Sequence, residues 1–100
     1  MCGAPDQDQL PALEVSAGEA VVHGTVRRGG EPLAGAYVRL LGETGDFTAE
    51  VQASATGYFR FYAADGEWTL RTLAPGAQPV DTPVRAEKGR AVEATVEVPA

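Results

Sequence analysis

One side chain in this 100-residue chain is set up for covalent chemistry: Cys2, its only cysteine. It stands in the opening stretch MCGAPDQDQL. A small second residue permits removal of Met1, which leaves a cysteine bearing a free α-amino group. That ammonium is a unit positive charge beside the sulfur, and a neighbouring cation favours thiolate over thiol. With unperturbed values of about 8 and 8.5, amine and thiol form a coupled pair near neutral pH. Such a terminus can accept sulfane sulfur as a persulfide, form a mixed disulfide, or chelate a metal through N and S. The opposing reading is a plain chain end, where Cys2 matters only for methionine removal.

The other reactive residue types are sparse. His23 is the only histidine; on a strand it is expected to be a solvated or paired side chain. One His and one Cys fall short of the four ligands of a structural zinc site, so no metal and no cofactor are expected. Glu43, Asp46, Asp65 and Glu67 fall in ETGD and ADGE. Neither stretch follows the EF-hand loop, and Asp-Gly is common hairpin chemistry. GGEPLAG has neither the lysine nor the following helix of a phosphate loop. An N-terminal Cys-Gly also begins glutamine amidotransferases. A nucleophile of that kind needs oriented neighbours and an oxyanion hole, which nothing in this sequence supplies.

The elements that must carry these residues are strands. The chain is 44% apolar with 12 Gly and 7 Pro, a composition suited to short strands and many turns. From Glu19 onward, turn signals recur about every eight to twelve residues. They bound strands at 19–28, 36–42, 47–54, 57–63, 67–73, 80–86 and 91–98. Residues 1–18 mix Pro, Gly, Gln and acids with little periodicity and are read as a flexible N-terminal arm carrying Cys2, ahead of a domain over 19–100.

Alternation assigns the faces. Phe59 and Phe61 oppose Tyr58, Arg60 and Tyr62; Trp68 and Leu70 oppose Thr69 and Arg71; Val38 and Leu40 oppose Tyr37 and Arg39. Val92, Val96 and Val98 oppose Glu93, Thr95 and Glu97. With Val22, Val26, Phe47 and Val51 these make two apolar faces. A seven-stranded, mostly antiparallel, two-sheet β-sandwich covers both. If strands 36–42, 57–63 and 67–73 share a sheet, then Tyr37, Arg39, Tyr58, Arg60, Tyr62 and Arg71 form one basic, aromatic binding patch, the residue types enriched at protein interfaces. The plainer alternative is a solvated face of cross-strand Tyr–Arg pairs.

Net charge is −6, from 14 acids against 8 bases, which argues against nucleic-acid binding. No stretch is long and apolar enough to span a bilayer, and there is no basic start followed by an apolar run, so no membrane association is expected and the default location is the cytoplasm. A lone cysteine forms no internal disulfide, in keeping with that compartment.

GTVRRGGEPLAGAYVRLL followed by ATGYFRFYAADGEWTLRTLAPG resembles the carboxypeptidase-regulatory-like, transthyretin-like sandwich over Val22 to about Gly76. Its pattern is a first strand, a Gly-Pro turn, a Gly-Ala-x-Val strand, a Thr-x-Gly-x-Phe-x-Phe hairpin and a Gly-x-Trp-x-Leu strand. Hydroxyisourate hydrolysis, an activity of some transthyretin relatives, is not implied: those enzymes end in Tyr-Arg-Gly-Ser and this chain ends TVEVPA. MCGAP with FTAEVQASATGYFRFYAADGEWTLR is similar to a narrower group, the SseC-like actinobacterial proteins of unknown function, associated with sulfur metabolism and often encoded beside a rhodanese-type thiosulfate sulfurtransferase. That resemblance implies an accessory protein that binds such a sulfurtransferase and accepts or carries sulfane sulfur on Cys2, without being an enzyme. Two other readings stay open: an interaction or scaffold module, homo-oligomeric or not, in which Cys2 is incidental; and, more weakly, a carbohydrate-binding module, disfavoured because Trp68 is expected in the core.

Overall fold

The computed structural model describes residues 19–99. The arm 1–18 and Cys2 therefore lie outside the described residues. Eight strands follow in order: β1 (Ala20–Arg28), β2 (Glu31–Pro32), β3 (Tyr37–Leu41), β4 (Phe47–Gln52), β5 (Tyr58–Ala63), β6 (Gly66–Leu73), β7 (Val80–Ala86) and β8 (Ala91–Val98). Seven coincide with the strands expected from alternation. The eighth, β2, is a two-residue strand folded back on the end of β1.

The strands form two sheets of four. In the first, here sheet A, β1 is central. β8 runs parallel to it on one side, while β5 and the short β2 are antiparallel to it on the other. Sheet B has the antiparallel order β4-β3-β6-β7. The result is an all-β, mostly antiparallel sandwich, and the parallel β1–β8 pair joins the first strand to the last.

The core lies between the sheets. Val22, Val26, Phe59, Phe61, Val96 and Val98 come from sheet A, and Val38, Leu40, Leu70, Val84 and Ala86 from sheet B, all buried. Phe59 and Phe61 tilt against each other at 6.3 Å between ring centroids, an arrangement that aromatic quadrupoles favour. Gly24 is required where β1 meets β8: a Cβ there would lie 1.6 Å from the Ala94 carbonyl oxygen.

Two expectations for the core need correction. Phe47, expected on the apolar face with Val51, is instead 62% exposed. A bulge between Leu40 and Leu41 is the reason: Leu40 pairs with Ala49, yet Leu41 pairs with Phe47, leaving Thr48 as an extra residue on β4. The bulge moves Phe47 off the core row of Ala49 and Val51 and onto the outer row of Leu41. Trp68 does lie on the core side, opposite Val84. It is only half-buried, because its Nε1 donates to the Ala64 carbonyl at 2.9 Å at the end of β6.

Candidate functional site: the outer face of sheet A

The six residues expected to form one patch are divided between the two outer faces of the sandwich. β3 and β6 are neighbours in sheet B, whereas β5 belongs to sheet A. Tyr37, Arg39 and Arg71 therefore lie on one side of the molecule, and Tyr58, Arg60 and Tyr62 on the other. Alternation places a side chain up or down on its own strand; it does not say which sheet the strand joins.

On sheet B, Arg39 and Arg71 stand directly opposite each other in the register. Each is neutralised from the strand beyond. Arg39 Nε donates to Glu50 at 2.8 Å, and Arg71 donates through Nε and Nη2 to the Asp81 carboxylate at 2.9 and 3.0 Å. The row across β4-β3-β6-β7 thus reads acid, base, base, acid. The bidentate contact to Arg71 holds the Asp81 carboxyl below its usual range. This face is balanced in charge rather than basic.

Sheet A carries the more unusual cluster. The strand is delivered by a turn in which Ser54 Oγ accepts from the Thr56 and Tyr58 amides at 3.2 and 3.1 Å. Gly57 adopts a φ of 79°, and its carbonyl takes the Val26 amide at 2.8 Å. That pinning sets the phase of β5: Phe59 and Phe61 go inward, Tyr58, Arg60 and Tyr62 outward. Arg60 stands opposite His23 on β1. Its Nε donates to the Tyr58 hydroxyl and its Nη1 to the Tyr62 hydroxyl, both at 3.4 Å, and its guanidinium carbon lies 5.8 Å from the Tyr58 ring centroid. The hydrogen bond to Tyr62, chiefly, raises the Arg60 pKa, against the opposing effect of burial. His23 Nδ1 lies 3.3 Å from the Tyr58 hydroxyl, which extends the chain of polar contacts to four side chains.

Burial sets this face apart. Arg60 is only 7% exposed and Val21, on the same face, is 0% exposed. Tyr62, the cross-strand partner of Val21 and two residues along β5 from Arg60, remains 53% exposed. His23 and Val21 were not expected to belong here. The one signal for Val21 is the break in alternation at Ala20-Val21-Val22, which puts an apolar side chain at an outward position.

The turn carboxylates meet at the end of sheet B, where a shallow cleft of about 300 Å³ is lined by Glu43, Asp46, Asp65, Glu67 and Trp68 among others. Three of the four acids are engaged locally. Thr44 Oγ1 donates to Asp46 at 2.7 Å, which lowers the Asp46 pKa. The Lys88 amide donates to Asp65 at 3.1 Å, and Arg85 pairs with Glu67. Among the described residues no three His, Cys, Asp or Glu side chains converge as metal ligands. No helix among them is long and apolar enough to cross a membrane.

Comparison with known proteins agrees with this architecture. The uncharacterized protein Rv0814c of Mycobacterium tuberculosis is 53% identical over 75 residues, covering 73% of this chain and 75% of its own length. A relative from Mycolicibacterium smegmatis is 57% identical over 56 residues, covering 55% of this chain and 62% of that protein. Among solved structures, the minor pilin GBS52 of Streptococcus agalactiae superposes with a TM-score of 0.69 at 20% identity, over 82% of this chain and 44% of the pilin. A DUF3823 protein from Parabacteroides merdae gives 0.67 at 22% identity, over 83% and 47%. Catechol 1,2-dioxygenase from Pseudomonas arvilla gives 0.64 at 12%, over 93% and 54%. This chain thus spans about half of each of these solved chains, and at such identities the likeness is one of fold alone. The family model described as a protein of unknown function (DUF1416) matches residues 2–98, and the chain belongs to that family.

Proposed function

We propose that this sandwich is a non-catalytic interaction module that docks through the Tyr58–Arg60–Tyr62 face of sheet A. The observation that carries the reading is the cluster itself. A guanidinium is held by two tyrosine hydroxyls on a sheet face beside a half-exposed ring, a combination of residue types that supplies interface anchors. The partner proposed is a rhodanese-type sulfurtransferase, on the strength of the SseC-like resemblance, with Cys2 as the acceptor. The transfer balances without any added oxidant or reductant. The Cys2 thiolate attacks the outer sulfur of the enzyme's cysteine persulfide, that S–S bond breaks, the enzyme departs as thiolate, and Cys2 becomes the persulfide. Sixteen residues, 3–18, separate Cys2 from the described sandwich, a reach of at most about 50–55 Å. A tether of that length keeps its tip at roughly millimolar effective concentration around a docked partner.

The test is a binding titration of the Met-processed chain against a persulfidated sulfurtransferase, followed by intact-mass measurement. Tyr62→Ala is expected to weaken binding by about 30-fold, the size of an interface anchor. Cys2→Ser should leave binding unchanged and abolish the gain of one sulfur atom. Unchanged affinity in Tyr62→Ala rejects the docking face; no added sulfur on wild-type Cys2 rejects the carrier role while leaving a scaffold.

A further inference from the structure

An unpaired edge strand offers free N–H and C=O groups to any extended chain, and folded proteins commonly blunt such edges. Both edges of sheet B carry a device of this kind: β4 has its bulge, and β7 has Pro83, which lacks an N–H. On sheet A, β8 has neither. It reads AVEATVEV over Ala91–Val98 and pairs with β1 in unbroken register. Among the described residues no strand lies on its other side. The Val21 amide donates to the Arg90 carbonyl at 3.0 Å. In a parallel pair, alternate residues turn their backbone groups to the same neighbour, so Val92, Ala94 and Val96 bond to β1. The N–H and C=O groups of Ala91, Glu93, Thr95 and Glu97 therefore point away from β1, along the open edge. On the core side of this strand, Val92 and Ala94 are only half-buried, whereas Val96 and Val98 are closed over.

We propose that the open edge of β8 is a strand-addition site. Its occupant is an extended segment of another protein, antiparallel to β8, with basic residues on its outward row and small apolar residues on its inward row. This surface is separate from the Tyr58–Arg60–Tyr62 face and does not depend on that reading. Charge selects the occupant. Glu93 and Glu97 are exposed on the outward row, and neither is in an ion pair among the described residues. Opposite charges across a strand pair stabilise it, and like charges oppose it. A second β8 is disfavoured for that reason. Keeping the core rows together limits an antiparallel β8–β8 pair to registers that set glutamates of the two copies opposite or diagonal to each other, in a chain of net charge −6. A segment reading Lys-Val-Thr-Val-Lys-Val meets the requirements. Its lysines stand across from Glu97 and Glu93, its threonine from Thr95, and its valines from Val96, Ala94 and Val92. Main-chain bonds to the edge supply affinity, and the two side-chain rows supply selectivity.

The test uses that hexapeptide, capped at both ends, with the full chain, and reads amide hydrogen exchange and a binding titration. In the chain alone, the Glu93, Thr95 and Glu97 amides are expected to exchange at least about tenfold faster than those of Ala94 and Val96. Saturating peptide should slow these three amides by about tenfold or more and leave Arg39 and Arg71 on sheet B unchanged. Methylating the peptide's threonine nitrogen removes a donor aimed at β8 and should weaken binding about tenfold. Glu93→Lys with Glu97→Lys should weaken it at least as much and shift preference to a peptide with glutamates in place of the lysines. The proposal is overturned if the peptide does not bind, or if the methylated peptide binds equally well, which reduces the contact to charge attraction. It is also overturned if Glu93, Thr95 and Glu97 are already protected in the chain alone. Protection that grows with the concentration of the chain by itself assigns the edge to a second copy, and rejects the proposal too. No sulfurtransferase is present, so no outcome depends on the docking reading.

Discussion

Thr72 shows how a single atom can be misplaced in an otherwise apolar core. It is 1% exposed, and its hydroxyl has no hydrogen-bond partner among the described residues. A buried unsatisfied hydroxyl costs on the order of 1–3 kcal/mol, and valine has the same shape without the polar atom. Thr72→Val is expected to raise stability by about 1 kcal/mol, seen as a rise of about 4–8 °C in melting temperature. The opposite sign is expected on the inward row of β5. Phe59→Ala should cost about 3–5 kcal/mol in a urea titration, whereas Tyr62→Ala, half-exposed on the other row, should cost far less. Asp81 supplies a pH-dependent case. Its folded pKa lies below the unfolded value because the charged form is bonded to Arg71. The stability it contributes is therefore present above the unfolded pKa and lost as pH falls through the folded one. Carboxyl NMR titration should find Asp81 below the ordinary aspartate range, and Arg71→Gln should return it there.

At the scale of elements, the parallel β1–β8 pair is tightly constrained. All eight residues of β8 pair with β1, and the two strands approach so closely at Gly24 and Ala94 that any side chain meets backbone rather than a movable group. Gly24→Ala should cost 3 kcal/mol or more, about the upper range for single substitutions, and a chemical denaturation curve would show it. Surface alanine substitutions on β8 such as Thr95→Ala should stay within about 0.5 kcal/mol. The bulge in β4 acts in the other direction, by releasing a residue. Phe47 leaves the core row and Leu41 is buried outside it, so Phe47→Ser should cost much less than Phe61→Ser despite identical chemistry.

For the whole molecule, closure depends on the last strand reaching the first. Val96 and Val98 are buried core residues on a strand that, among the described residues, is held in sheet A only by β1. Ending the chain after Arg90 removes them and exposes Val22 and Val26 along the opened side. The expected outcome is loss of the cooperative thermal transition, because so small a sandwich has little core to spare. A sharp transition in the truncated chain would show instead that β8 is dispensable. The same closure separates the two outer faces: one balanced row of ion pairs on sheet B, one tyrosine–arginine cluster on sheet A.

What the amino-acid order determined by itself was local. Strand positions followed from turn residues, and inward and outward rows followed from the two-residue period, so Phe59, Phe61, Val38, Leu40 and Leu70 were legible as core from their letters alone. Tyr58, Arg60 and Tyr62 were legible as an outward set for the same reason. The partner of each strand was not legible, because pairing depends on contacts distant in sequence that alternation does not encode. Only the tertiary structure placed β5 in the sheet opposite β3 and β6 and so split the six-residue patch. Only it placed a bulge at Leu41 that turned Phe47 out, and left Trp68 half-open at a sheet end. It also revealed that Val21 and Arg60 are buried on an outer face, since burial depends on three-dimensional packing that alternation along one strand does not encode.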